Sequence, residues 1–185
     1  MRSDRQGHAL SGSNSQAARH YDAAIAQFGI YRGDPLADLD EALSVAPACV
    51  MALLAKAWLM GMATEPAAAA EARKLLEAAR HLPMDERETA HADALGLLLD
   101  GRWDDAALAL DHLDMRWPLD ILALQVGHLI DFYRGNARNL RDRIARALPR
   151  WSPEVPGYAL VLGMHAFGLE EMGDYARAEA CGREA

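Results

Sequence analysis

Gly101-Arg102-Trp103-Asp104-Asp105-Ala106 returns later in the chain as Gly173-Asp174-Tyr175-Ala176-Arg177-Ala178. Each stretch has Gly, an aromatic two places on, and Ala three places after that. Around them run apolar segments with helical spacing, each closed by a proline. Pro47, Pro83, Pro118 and Pro149 are 36, 35 and 31 residues apart. A period of about 34 residues in which small, aromatic and Pro positions recur is the signature of stacked helix–turn–helix repeats. One such hairpin cannot keep its apolar face from water, so each needs its neighbour. The expected fold is therefore all-α: a right-handed solenoid of four to five degenerate helical hairpins.

Composition agrees with helices and narrows the partners. Half of the 185 residues (51%) are hydrophobic but only 6% are aromatic, a balance that suits helices better than sheets. A net charge of −8 disfavours nucleic acid, which needs a basic surface, so no nucleic-acid partner is expected. Of the 19 basic residues all but Lys56 and Lys74 are Arg, which we read as genomic composition bias. Cys49 and Cys181 have no metal-type spacing, and two inert thiols suit a reducing cytosol. No apolar run approaches the roughly 20 residues needed to span a bilayer, and Met1 to Ser15 lacks a secretory core. The expectation is a cytoplasmic protein without a membrane partner.

Punctuation along the chain sets the units. Residues 1–13, with Gly7 and Gly12, read as an extended N-terminal arm, and 14–185 as one repeat domain. Asn14 or Ser15 caps a first helix running through Tyr31. Asp34 and Pro35 start a second, ending at Val45. A helix from about Cys49 to Met62 follows, then one from Ala67 to His81 after Pro66. Asp85, with Glu88 three residues on, forms a capping box for a helix reaching Asp100. Trp103 to Met115, Leu119 to Arg134 and Ala137 to Leu148 come next. The fifth pair opens near Gly157, and its second helix is expected to be short and open-ended.

Further residues add a resemblance. Asp4 to Ala24, with Gly7, Leu10-Ser11, Ala17-Ala18 and Tyr21-Asp22, is similar to the opening of the tetratricopeptide repeat protein 38 family. The likeness continues through Glu86-Arg87-Glu88, His91, Gly101 to Ala106, Trp117-Pro118, Asp120, Leu122-Ala123-Leu124, His128, Phe132-Tyr133 and Gly135. It ends with Trp151, Pro153, Pro156 and Ala166-Phe167-Gly168-Leu169-Glu170-Glu171. This resemblance implies a tetratricopeptide-like repeat fold, found in bacteria and animals, and no settled reaction. Family members continue with further helical repeats, so the chain is expected to be the N-terminal part of such an array. The first and fourth units depart from the pattern, with Ala137 and Leu140 where an aromatic and Ala are preferred.

Taking Gly101, Gly135 and Gly173 as equivalent turns places the first helix of each unit on an inner wall. Helical spacing then selects Met51, Leu54, Trp58, Met62, His91, Leu95, Leu98, Phe132, Tyr133 and Phe167 as the binding-groove candidates. The same stripe would serve equally as core between helical layers. An apolar wall open to water favours a filling by about 25 cal/mol per Å2 buried. Glu88 and His91 form an E-x-x-H pair, which without a second copy reads as a cap beside a packing His. His128 and His165 fall on first helices of neighbouring units. Arg138, Arg141, Arg143, Arg146 and Arg150 make one basic helix, either a solvated face or a docking patch for an acidic or phosphate-bearing partner.

Two functions follow. One is a non-catalytic scaffold that binds a protein or peptide segment in the groove, or a second copy of the chain. The other is a helical-repeat enzyme or small-molecule binder using His91, His128, Glu88 and Asp131, whose burial would tune their pKa. No catalytic residue, metal or cofactor is assigned, because no phosphate loop, G-x-S-x-G or metalloprotease motif is present.

Overall fold

The computed structural model describes residues 2–185. Among them are ten α-helices and one two-stranded ladder. The helices are α1 (Ser15–Gly29), α2 (Pro35–Val45), α3 (Val50–Gly61), α4 (Pro66–Arg80) and α5 (Glu86–Leu99). They continue as α6 (Trp103–Arg116), α7 (Ile121–Tyr133), α8 (Ala137–Ala147), α9 (Tyr158–Glu171) and α10 (Tyr175–Glu184). None of the described helices is long and apolar enough to cross a membrane. The chain divides into two compact units, Met1–Ala109 and Leu110–Ala185, with the division inside α6.

Asx residues cap six of the helices, and at Asn14, Asp34 and Asp85 they do so where the sequence reading places them. Asn14 accepts from the N–H groups of Gln16 and Ala17, both at 2.9 Å. Asp34, Asp120, Asn136 and Asp174 cap α2, α7, α8 and α10 in the same manner. Asp85 and Glu88 form the reciprocal capping box of α5, at 2.8 and 2.9 Å. Each such cap satisfies donors that have no partner within the helix.

Within the first unit α1 packs on α2 and α3 on α4, while α3 also packs on α5. Within the second, α7 packs on α8 and α9 on α10, with α8 against α9. Consecutive helices therefore pair, and pairs abut. In the first unit the helix with most to hide is α3, where nine residues including Met51, Leu54 and Trp58 are buried. Leu122, Leu124, Ile130, Leu140, Ile144 and Val161 do the same work in the second unit.

A backbone period lies under the helices. Tyr31, Thr64, Gly101, Gly135 and Gly173 all take left-handed conformations, with φ of 51°, 59°, 76°, 65° and 77°. Each sits between two consecutive helices, and they are 33, 37, 34 and 38 residues apart. At four of them the same two bonds close the helix. The left-handed residue donates to the carbonyl three back, and the next residue donates to the carbonyl five back. That is the Schellman closure, which favours glycine at the left-handed position. Tyr31 uses it without being glycine, which explains why the first unit is so faint in the sequence.

Where the sequence reading places an extended arm, β1 (Arg2–Ser3) and β2 (Ala9–Leu10) pair antiparallel. Leu10 is fully buried. Ser11 beyond it donates its N–H to Glu88 Oε1 at 2.8 Å and accepts from the Val50 N–H at 3.1 Å. Arg87 donates to the Ala9 carbonyl at 3.0 Å. Ser11 thus supplies α3 with the terminal acceptor that the Cys49 side chain does not.

Candidate functional site

The ten groove candidates separate by unit. Met51, Leu54, Trp58, His91 and Leu95 are fully buried in the first unit, with Met62 and Leu98 nearly so. They form the core of that unit. Trp58 donates from Nε1 to Nδ1 of His91 at 3.3 Å, and the rings meet edge to face. The indole needs such an acceptor once it is buried, which accounts for a histidine at this point of α5. Glu88, one turn earlier, accepts from Ser11 and from the Asp85 N–H. Both members of the E-x-x-H pair are thereby engaged in holding the fold. Among the described residues no group of three or more His, Cys, Asp or Glu is placed to hold a metal ion.

In the second unit the three remaining candidates come together at the surface. Phe132 and Tyr133, at the end of α7, are 47% and 51% exposed. Their ring centres are 5.9 Å apart, and Phe132 lies 5.7 Å from Phe167 on α9. Beneath them His128 meets Phe167 at 5.9 Å and reaches the Met164 carbonyl at 3.2 Å through Nε2. Burial above all, with some help from the Arg143 charge, brings the His128 pKa down to about 4. The imidazole is therefore a neutral floor for an aromatic ledge. Two neighbouring half-exposed aromatics, on helices otherwise well covered, are what a binding surface needs and a monomer's exterior usually avoids.

The basic helix turns out to be divided among three environments. Arg143 is fully buried, and its guanidinium meets Asp131 at 2.9 Å, Asp114 at 2.8 Å and Asp111 at 3.1 Å. Room for it comes from Gly127 on α7, where a methyl group would lie 2.7 Å from the guanidinium carbon. Arg146 pairs with Asp111, while Arg138 and Arg150 are exposed. All three carboxylates share Arg143, with Arg146 also on Asp111 and Arg134 also on Asp131. Burial, only partly offset by Arg143, raises the Asp114 pKa to about 7, and Asp120 and Asp111 push the same way. The sequence reading treats Arg143 as part of a surface run. Signals for its burial were present in Gly127, in Asp131 one turn after it, and in Asp111 and Asp114 three apart on α6.

The acid–base candidates are likewise accounted for by structure. Asp131 is buried and held by Arg143, by Arg134 at 3.2 Å and by Asn139 at 2.9 Å. His165 is buried on α9, and its Nδ1 has no hydrogen-bond partner. Cys49 is buried with its thiol pKa raised, chiefly by burial. No family model matches the chain, and no solved structure matches it.

Proposed function

We propose that this chain is a non-catalytic interaction scaffold of tetratricopeptide-like hairpins, akin to the N-terminal part of the tetratricopeptide repeat protein 38 family. It binds a protein segment on the ledge formed by Phe132, Tyr133 and Phe167. The exposure of Phe132 and Tyr133 beside Phe167 is the observation that carries this reading. Such rings offer a large apolar area at low entropic cost, and covering the half still exposed on one contributes about 1 kcal/mol. The regular spacing of left-handed turns supports the repeat architecture, since it recurs at the period such hairpins require. Seven of the groove candidates serve as core, so recognition on this reading belongs to the second unit. The occupied hydrogen bonds of Glu88, His91 and Asp131 leave acid–base chemistry the weaker alternative. Buried Cys49 and the lack of a paired thiol suit a reducing cytoplasm.

Selection of a displayed peptide library against the full chain tests the proposal. Selected peptides should lose at least tenfold in affinity to Phe132→Ala and to Tyr133→Ala, and nothing to Lys74→Ala on exposed α4. Peptides indifferent to both aromatic substitutions would place recognition elsewhere and end this reading.

A further inference from the structure

Arg141, on the opposite flank of α8 from the buried ion cluster, opens onto a second feature. A cavity of about 420 Å3 is lined by Arg141, Ala145, Leu148, Pro149, His165 and Arg177. Its walls are held close by Gly168 of α9. A methyl group there would lie 2.6 Å from the Arg141 Cα, so α9 rests directly on the α8 backbone. His165, three residues before Gly168, shares that helix face.

The chemistry of the lining is lopsided. His165 is 7% exposed, and its Nδ1 lacks any hydrogen-bond partner, a costly arrangement unless something answers it. Burial, then the charges of Arg177 and Arg141, hold its pKa below the ordinary histidine range. A backbone hydrogen bond at Arg141 and the charge of Asp142 act the other way. Asp142 pairs with Arg141 at 2.6 Å and Asp174 with Arg177 at 3.1 Å. Both pairs are partly exposed and so contribute little, and a guanidinium has five N–H donors to share. Ala145, Leu148 and Pro149 add an apolar floor.

We propose that this cavity binds an oxyanion carried on a small apolar body, clamped by Arg141 and Arg177, with His165 taking up a proton to donate from Nδ1. A volume near 420 Å3 suits a ring-sized organic anion. The bound charge reverses the field on the imidazole, since a nearby anion favours the cationic ring. Binding above the free-ring pKa therefore consumes one proton, and affinity rises by up to about tenfold for each pH unit lowered.

Titrating the full chain with benzoate and with phenyl phosphate, followed by NMR of the His165 ring, tests this. Benzoate stays ionised between pH 5.5 and 8, so its pH dependence isolates the imidazole. Benzoate should bind at least tenfold more tightly at pH 5.5 than at pH 8 and raise the ring's titration midpoint. Arg177→Gln, on an exposed side chain, should weaken binding at least fivefold, and Arg141→Gln should do the same. His165→Gln should keep weak binding and lose its pH dependence. A stronger response to phenyl phosphate at equal pH identifies phosphate monoesters as the ligand class; the reverse identifies carboxylates. The proposal fails if neither probe moves the His165 resonances at pH 5.5. It also fails if neutral benzamide competes equally, or if binding survives both arginine substitutions together.

Discussion

Arg143 shows how a single side chain decides more than its position suggests. It gathers Asp111, Asp114 and Asp131 into one largely buried cluster, and the burial of Asp114 favours that carboxyl's protonated form. A carboxyl whose folded pKa is raised from 3.8 to about 7 adds stability at low pH. That contribution is complete below the unfolded value and is lost as pH rises through about 7. His128 acts oppositely: lowered from 6.5 to about 4, its contribution is present above 6.5 and lost as pH falls through about 4. Over pH 4 to 7 the two oppose each other. Asp114→Asn removes only the first, so the variant's Tm should fall more steeply than the parent's between pH 7 and pH 4. Parallel Tm curves, measured by circular dichroism, would mean that Asp114 is ionised throughout. The sequence hid this cluster because its partners come from three helices, and five arginines in one run look like a solvated face.

Among the elements, the turns are more regular than the helices they join. Caps such as Asn14, Asp34 and Asp85 were legible because a short polar side chain before an apolar stripe has few other uses. The three glycine turns were legible for their chirality. Tyr31 and Thr64 were not, because side chains with a Cβ rarely accept a left-handed backbone, and for Thr the branching adds strain. Thr64 is exposed and has φ of 59°, so relief there should come without loss of packing. Thr64→Gly is expected to stabilise the protein by about 1 kcal/mol, the left-handed penalty less the extra entropy of glycine in the unfolded chain. Urea unfolding would register this as a raised midpoint at unchanged slope. A lowered midpoint would show that Thr64 is not strained.

At the scale of the molecule, the all-helical class was readable from composition and period, whereas the site was only partly so. Helical spacing picks an apolar stripe but does not say which neighbour covers it. Met51, Leu54 and Trp58 are covered in the first unit, while Phe132 and Tyr133 on the equivalent stripe are half bare. The N-terminal segment was the other blind spot, since two-residue strands leave no periodicity to read. Charge gives a prediction for the whole chain. With a net charge of −8 at pH 7 and a pI near 5.3, self-repulsion vanishes as acid is added. Solubility should pass through a minimum close to pH 5.3 at low salt, read as protein left in the supernatant. A minimum elsewhere would show that buried groups such as Asp114 displace the isoelectric point.

The placement of Ser11 has a practical corollary at the bench. Its nitrogen answers the Glu88 carboxylate and its oxygen answers the first amide of α3. A shortened version starting at Asn14 would take the donor from Glu88 Oε1, which is buried, and the acceptor from the Val50 N–H together. The other terminus is no safer to trim, because α10 covers α9 and carries Arg177 of the cavity.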